Sequence, residues 1–237
     1  MKKGIILLLA VLVLVSAFAS CAGGNNTVSS AVDSNSNSSV STVSNNDNNS
    51  NSDFDEDEII KNIKVTSYRY TSYSYNYLIL VLKNNSKYDC KLEAEVTLYN
   101  KKGKIVNTES TTITAFAAGA ETVVKFSTKD DFEKFETQFS ASELTYYTTV
   151  TKDLKFTVDT ATDKAIVSIT NNGKKTAIYT KAYGIFFKNG KVVYTNLTYI
   201  GDSKSEIKPG KTQRGQMSCY EKFDDVKVYV DGYAKAE

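Results

Sequence analysis

No histidine occurs anywhere in the 237 residues. That absence removes Ser–His–Asp and Cys–His nucleophile activation, His-ligated zinc and imidazole acid–base chemistry together. Tryptophan is missing too, and with it the Cys–Trp–Cys signature of true immunoglobulin domains. Cysteine is confined to Cys21, Cys90 and Cys219, and the EF-hand glycine and ligand spacing are not found in the one dense acidic run, residues 53–58. Gly201–Asp202–Ser203–Lys204–Ser205 has the look of a hydrolase serine turn, but its serine has no base, so it reads as a solvent loop. Asp130–Asp131 and Asp224–Asp225 are adjacent carboxylates that point apart, unlike a glycosidase pair held across a sugar cleft; they read as turn residues. The expectation is a chain that is not an enzyme and uses no cofactor and no metal.

The longest apolar run, Ile5–Val15, follows Lys2 and Lys3 and is too short for a confident spanning helix. It has the layout of a secretory signal. Ala19 and Ser20 lead straight into Cys21, as in the bacterial lipobox, with Phe18 where Leu is usual. Residues 1–20 are therefore expected to be a lipoprotein signal peptide. Cys21 is the expected lipidation site, and two or three acyl chains would hold the protein stably on the membrane. Localisation is expected at the extracytoplasmic face of a cell membrane, in a Gram-positive host.

From residue 21 to 58 the sequence is chiefly Asn and Ser, without helical or strand periodicity, and closes on the acids Asp53, Asp55, Glu56, Asp57 and Glu58. Such a composition buries too little apolar surface to offset chain entropy and reads as a disordered, acid-tipped tether. Residues 59–237 carry 27 bases against 20 acids, a net charge of +7. A basic body leans towards anionic wall polymers or lipid headgroups; nucleic acid is not an expected partner of an exported protein.

The body is written twice. LKNNSK (82–87) recurs as ITNNGK (169–174), and LYNKKGKIVNT (98–108) lies over IFFKNGKVVYT (185–195), both at an offset of 87. Later the offset becomes 91, where Gly119 meets Gly210 and Phe132 meets Phe223; IKVT (63–66) and LKFT (154–157) also match at 91. Two homologous domains are expected, 59–146 and 147–237. In each, period-2 segments such as Leu92, Ala94, Val96 and Leu98 mark strands with one wet face, and KKGK and KNGK supply hairpin glycines. Tyr77–Leu82 is a continuous apolar run suited to a buried strand, and Asp130–Lys134 suggests one helical turn. The fold class is all-β: two tandem immunoglobulin-like β-sandwich domains after a disordered Asn/Ser-rich tether. One residue breaks the pattern. The ungapped register lays Lys181 over core-facing Ala94, so either a bulge reverses the phase of that strand or Lys181 snorkels at an edge.

VTLYNKKGKIV (96–106), preceded by LKNNS, resembles the FxLYD domain of bacterial lipoproteins. Leu98, Tyr99 and Gly103 match that family's strand-and-hairpin motif; Val96 stands for its Phe and Asn100 for its Asp. The second repeat is further from the motif, with Tyr183, Ile185, Phe186 and Phe187 around the same strand. The resemblance implies a small β-sandwich on a lipoprotein and supplies no catalytic residues.

Three groups are candidate sites. SYRYTSYSYNY (67–77) sets five tyrosines in eleven positions, where the second repeat has only TVDTATDK. It is read as two strand arms shifted at Thr71–Ser72, with Tyr68, Tyr70, Tyr73 and Tyr75 as a candidate contact surface or, alternatively, as ordinary sheet packing. Lys101, Lys102 and Lys104, with Lys188 and Lys191, are candidate basic tips for an anionic polymer. Cys90 and Cys219 either form an interdomain disulfide or are separate buried thiols. The expected function is a membrane-anchored, non-catalytic binding or adhesion module for an envelope protein, wall glycan or anionic polymer. The alternative is an accessory or inhibitor subunit of a separate envelope enzyme or transporter.

Overall fold

The computed structural model describes residues 53–201 and 206–236. The expected signal peptide, Cys21, the tether up to residue 52 and Asp202–Ser205 of the serine turn lie outside these residues. The described chain is all-β. A short helix α1 (Glu56–Lys61) leads into β1 (Ile63–Ser72), β2 (Tyr75–Asn84), β3 (Cys90–Tyr99), β4 (Ile105–Phe116), β5 (Glu121–Thr128) and β6 (Lys134–Ser142). These form two antiparallel sheets, β1-β2-β5 and β4-β3-β6. After β7 (Tyr147–Thr149) and a 3₁₀ turn at Thr151–Asp153 come β8 (Leu154–Ala161), β9 (Lys164–Asn171), β10 (Ala177–Lys188), β11 (Lys191–Tyr199), β12 (Glu206–Ile207), β13 (Thr212–Ser218) and β14 (Asp225–Lys235). They repeat the arrangement as β13-β9-β8 against β11-β10-β14, with β7 added beside β14 and β12 beside β10.

Each sandwich closes on its own core. Leu92, Ala94, Val96 and Leu98 of β3 are buried in the first, as their alternation requires. Ala165, Val167 and Ile169 of β9, with Phe186 and Met217, fill the second. The same polar device locks both. Asn84 and Asn171, 87 residues apart, are fully buried. The Asn84 amide donates to the carbonyls of Tyr88 (2.9 Å) and Phe116 (3.4 Å), and its backbone oxygen accepts from Gly119 N–H. The Asn171 amide donates to Lys175 (2.8 Å) and Ile207 (2.7 Å), and its backbone oxygen accepts from Gly210 N–H. A buried amide that satisfies two loop carbonyls stitches the turns to the sheets. Gly119 and Gly210 both have φ near +70° (74° and 70°), a conformation that a side chain would strain.

The two sandwiches meet face to face in a third apolar cluster. Tyr68, Tyr70, Ile79, Val81 and Val123 come from β1-β2-β5; Tyr183, Ile185, Phe187 and Val192 come from the β10-β11 side. β2 is thus buried on both faces, Leu78, Leu80 and Leu82 towards the first core and Ile79 and Val81 towards the seam. This double burial accounts for its unbroken apolar run.

β10 reaches the seam because of a bulge. Its pairing with β14 slips between Ile178 and Lys181, and Tyr179 there has φ +49°. Before the slip the repeats are in phase; after it Ala182, not Lys181, takes the core position. Lys181 turns outward and pairs with Asp231 at 3.5 Å. Of the two readings of Lys181, the bulge is the one realised.

Two expectations need correction. The acids 55–58 are not a solvated spacer: Asp55 caps α1 by accepting from Glu58 N–H (2.9 Å), and Glu56 accepts from Ala141 N–H (2.9 Å). Ile59 of that helix is buried in the first core, which drives the docking. Residues 130–134 form no helical turn; Asp131 instead accepts from the Asn76 amide (3.1 Å). Of the two readings of Cys90 and Cys219, that of separate buried thiols is the one realised: both are free, one in each core.

The bulge makes a sharp prediction. Deleting Tyr179 would remove the bulge's extra residue and leave a regular strand with Ala177, Thr180 and Ala182 inward and Lys181, Tyr183, Ile185 and Phe187 still on the seam side. Lys181 stays opposite Asp231, so calorimetry should still find cooperative unfolding of the second sandwich after the deletion; loss of that transition would show that the bulge does more than set the phase of the strand. Tyr179→Gly keeps the extra residue in a backbone that glycine adopts freely and should leave the unfolding midpoint unchanged or higher.

Candidate contact surface

The tyrosine segment folds as one hairpin. β1 and β2 pair in register down to Ser72↔Tyr75, which leaves Tyr73 and Ser74 as a two-residue turn. The phase change therefore falls at Tyr73–Ser74 and not at Thr71–Ser72, and Tyr73 belongs to neither strand. Its φ is +53°, as the tight turns that match strand twist require at their first position.

The four candidate tyrosines divide. Tyr68 and Tyr70 are buried in the seam, which corrects their reading as a free surface: their contacts are with the second sandwich of the same chain. Tyr68 meets Phe187 edge-on with centroids 5.6 Å apart, and the Tyr70 hydroxyl is hydrogen-bonded to Thr195 at 2.8 Å. Tyr73 is 96% exposed at the turn apex, and Tyr75 is 39% exposed beside it.

Tyr75 continues a row of rings out of the seam. Tyr70 stacks on Tyr77 (4.7 Å, 14°), and Tyr77 lies 6.2 Å from Tyr75. Ammonium groups cover the row: Lys125 Nζ sits 5.3 Å from the Tyr77 centroid and Lys129 Nζ 5.6 Å from that of Tyr75. Burial lowers the Lys125 pKa. The second sandwich adds Tyr194, edge-on to exposed Tyr220 at 5.6 Å. Burial raises the Tyr194 phenol; the neighbouring Thr195, bonded to the Tyr70 hydroxyl, places this strand beside the hairpin. Lys125, Lys129, Tyr194 and Tyr220 are absent from the sequence-level site. The two lysines are legible only once β5 is known to pair with β2, for Ile79↔Lys125 and Asn76↔Thr128 set them beside the rings.

The lysine hairpins differ from one another. Lys101, Lys102 and Lys104 are exposed on the β3–β4 turn, where Asn100 Oδ1 accepts from the N–H groups of Lys102 and Lys104. Lys188 and Lys191 flank the β10–β11 turn, but Lys188 pairs with Asp224 at 3.5 Å. Asp224 also accepts from Asn189 N–H (3.0 Å), which holds its carboxyl below the usual range. The second tip is thus partly neutralised, and the adjacent carboxylates of both repeats serve turns. Among the described residues, no group of three or more Cys, Asp or Glu side chains is placed to hold a metal ion. Burial pushes the Cys90 thiol up to about 12, away from reactive thiolate.

No known protein family and no curated protein matches the chain. Among solved structures, the chain is similar to red sea bream transglutaminase over 72% of its own length and 29% of that chain, at 10% identity. The TM-score of 0.26 is too low to bear on fold or activity.

The seam tyrosines make stability sensitive to alkali. Burial, above all, raises the Tyr70 phenol from the ordinary 10.0 to about 12, and the Tyr229 phenol equally. Between those values the unfolded chain has released protons that the folded chain retains. Stability is therefore intact below about pH 10 and falls as pH rises towards 12. Tyr70→Phe should flatten that fall while costing about 1 kcal/mol at neutral pH through the lost Thr195 bond. Denaturant unfolding at a series of alkaline pH values, with phenolate absorbance followed in parallel, reads both effects. An equal alkaline slope in the variant would remove Tyr70 from the account.

Proposed function

We propose that this chain is a membrane-anchored extracytoplasmic lipoprotein, held by Cys21, whose paired FxLYD-like sandwiches bind an anionic polymer of the cell envelope without catalysis. Tyr73 carries the reading. A left-handed turn position favours Gly or Asn, and a bulky side chain there costs on the order of 1 kcal/mol. The fold gains nothing in return, because the ring is 96% exposed. A destabilising ring displayed at the apex of a rigid hairpin is suited to touching something else.

Its surroundings suit an anionic sugar chain. Tyr73 and Tyr75 offer ring faces, Lys129 offers an ammonium beside them, and residues 59–237 carry a net +7. Rigid tyrosines bury contact area at low entropy cost, and lysines add attraction that salt screens. The same chemistry extends to Tyr194 and Tyr220 across the seam.

Tyr73→Asn separates the two roles of the residue. Asparagine tolerates the turn backbone, so the unfolding midpoint should hold or rise by roughly 2–4 °C. Retention of the full-length protein on immobilised anionic wall polymer should weaken about tenfold, the equivalent of one lost ring contact. Unchanged retention, or retention that ignores ionic strength in the parent protein, would remove the support for this reading.

A further inference from the structure

The seam has a second open end. Eight residues along β2 from Tyr75, roughly 27 Å away at strand rise, the sandwiches part around Lys83 and leave a cleft of about 390 Å³. The first sandwich contributes Lys83 and Glu121, which pair at 3.6 Å. Lys152, Lys155, Phe156 and Tyr229 line the opposite side. Glu121 engages Lys83, so the ammonium groups of Lys152 and Lys155, both on exposed residues, give the rim its net positive charge. Leu154 and Val230 form a buried apolar floor.

Comparison of the two repeats shows that the fold does not require the Phe156 ring here. At the offset of 91, Phe156 corresponds to Val65, which packs against the first core, whereas Tyr229 lines the cleft and also packs against the seam cluster. Phe156 is nevertheless 42% exposed at the cleft. A larger apolar ring has been placed where the other sandwich uses a smaller, packed side chain. Clefts of this size between sandwiches, apolar with a few convergent charges, suit small ligands.

We propose that this cleft binds one sugar phosphate unit, the C–H face of the sugar against Phe156 and Tyr229 and the phosphate between Lys152 and Lys155. The proposal rests on the polymer-binding reading above and adds a second subsite at the far end of the seam. One long chain could reach both ends, so that occupancy of one raises the effective concentration at the other.

The test titrates the full-length protein in non-ionic detergent with glucose 1-phosphate, followed by saturation-transfer NMR. Glucose and inorganic phosphate serve as half-ligands and should each bind more weakly. A Lys152→Gln/Lys155→Gln double variant should lose about tenfold in affinity for glucose 1-phosphate. Phe156→Val, which installs the first repeat's residue, should weaken it with an unchanged unfolding midpoint. Tyr73→Asn should leave it unaltered. Soluble wall-polymer fragments and phosphatidylglycerol vesicles, added separately as competitors, distinguish a polymer repeat from a lipid headgroup as the source of the phosphate. Displacement by either supports the site; displacement by neither overturns it, as does equal affinity in the double variant. Retention on wall polymer separates the two proposals. If Tyr73→Asn weakens it and the cleft variants do not, the cleft proposal fails alone; if none of the variants does, both fail.

Discussion

A bulge in β10, against β14, decides how the two sandwiches are joined. The residue spacing equals that of the first repeat, and with β3's unbroken alternation Tyr183 and Ile185 would take the inward positions that Val96 and Leu98 occupy. The bulge at Tyr179 reverses that phase, so Tyr183, Ile185 and Phe187 leave the second core and meet Tyr68, Tyr70 and Ile79. A side-chain period of two makes this all-or-none: a slip of one residue moves every later side chain to the other face. What separates two independent modules from one stacked body is therefore a single backbone irregularity. Each sandwich then has a second apolar face that is shielded only by its neighbour, and the folding of one is coupled to the presence of the other.

The seam also explains where the repeats have diverged. The parts that build each sandwich are kept: Asn84 and Asn171 make the same amide bonds, Gly103 and Gly190 share a φ of 74°, and each sheet has the same strand order. The outward residues of β1, β2, β10 and β14 differ, because in one repeat they face the partner from the front and in the other from the back. Cys90 and Cys219 belong to the conserved part of this logic. Each occupies a buried site of its own core, with Ala177 fully buried at the position equivalent to Cys90, and a whole sandwich interface separates them.

Much of this was legible in sequence, for reasons that can be named. The alternation of β3 and the hairpin glycines are local signals, and the local environment honours them. Lys181 marked an irregularity, because an ammonium cannot replace Ala94 in a core, and left a bulge and an edge position as the two ways to meet it. The seam was not legible as such: Tyr68, Tyr70, Ile79 and Val81 lie on one face of a hairpin, but sequence does not say whether such a face meets another molecule or the rest of its own chain. The same ambiguity hid α1. Acids at 55–58 are equally good as a solvated run and as the first turn of a capped helix, and only the burial of Ile59 decides between them.

Once Tyr68 and Tyr70 are assigned to the seam, the remaining aromatic excess becomes more informative. Seam tyrosines are accounted for by burial and by the Thr195 hydrogen bond. Tyr73 is not, since its backbone is strained and its ring is in solvent. Nor is Phe156, since Val65 shows that a sandwich closes well with a smaller residue in that position. The two lie at opposite ends of the same junction, each with lysines close at hand. Stability argues against Tyr73 where it stands, and neither ring is needed for the strand order. Joining the sandwiches by their faces fixes the distance between these ends, and a rigid two-ended surface is what a long, repeating ligand can use and a small one cannot.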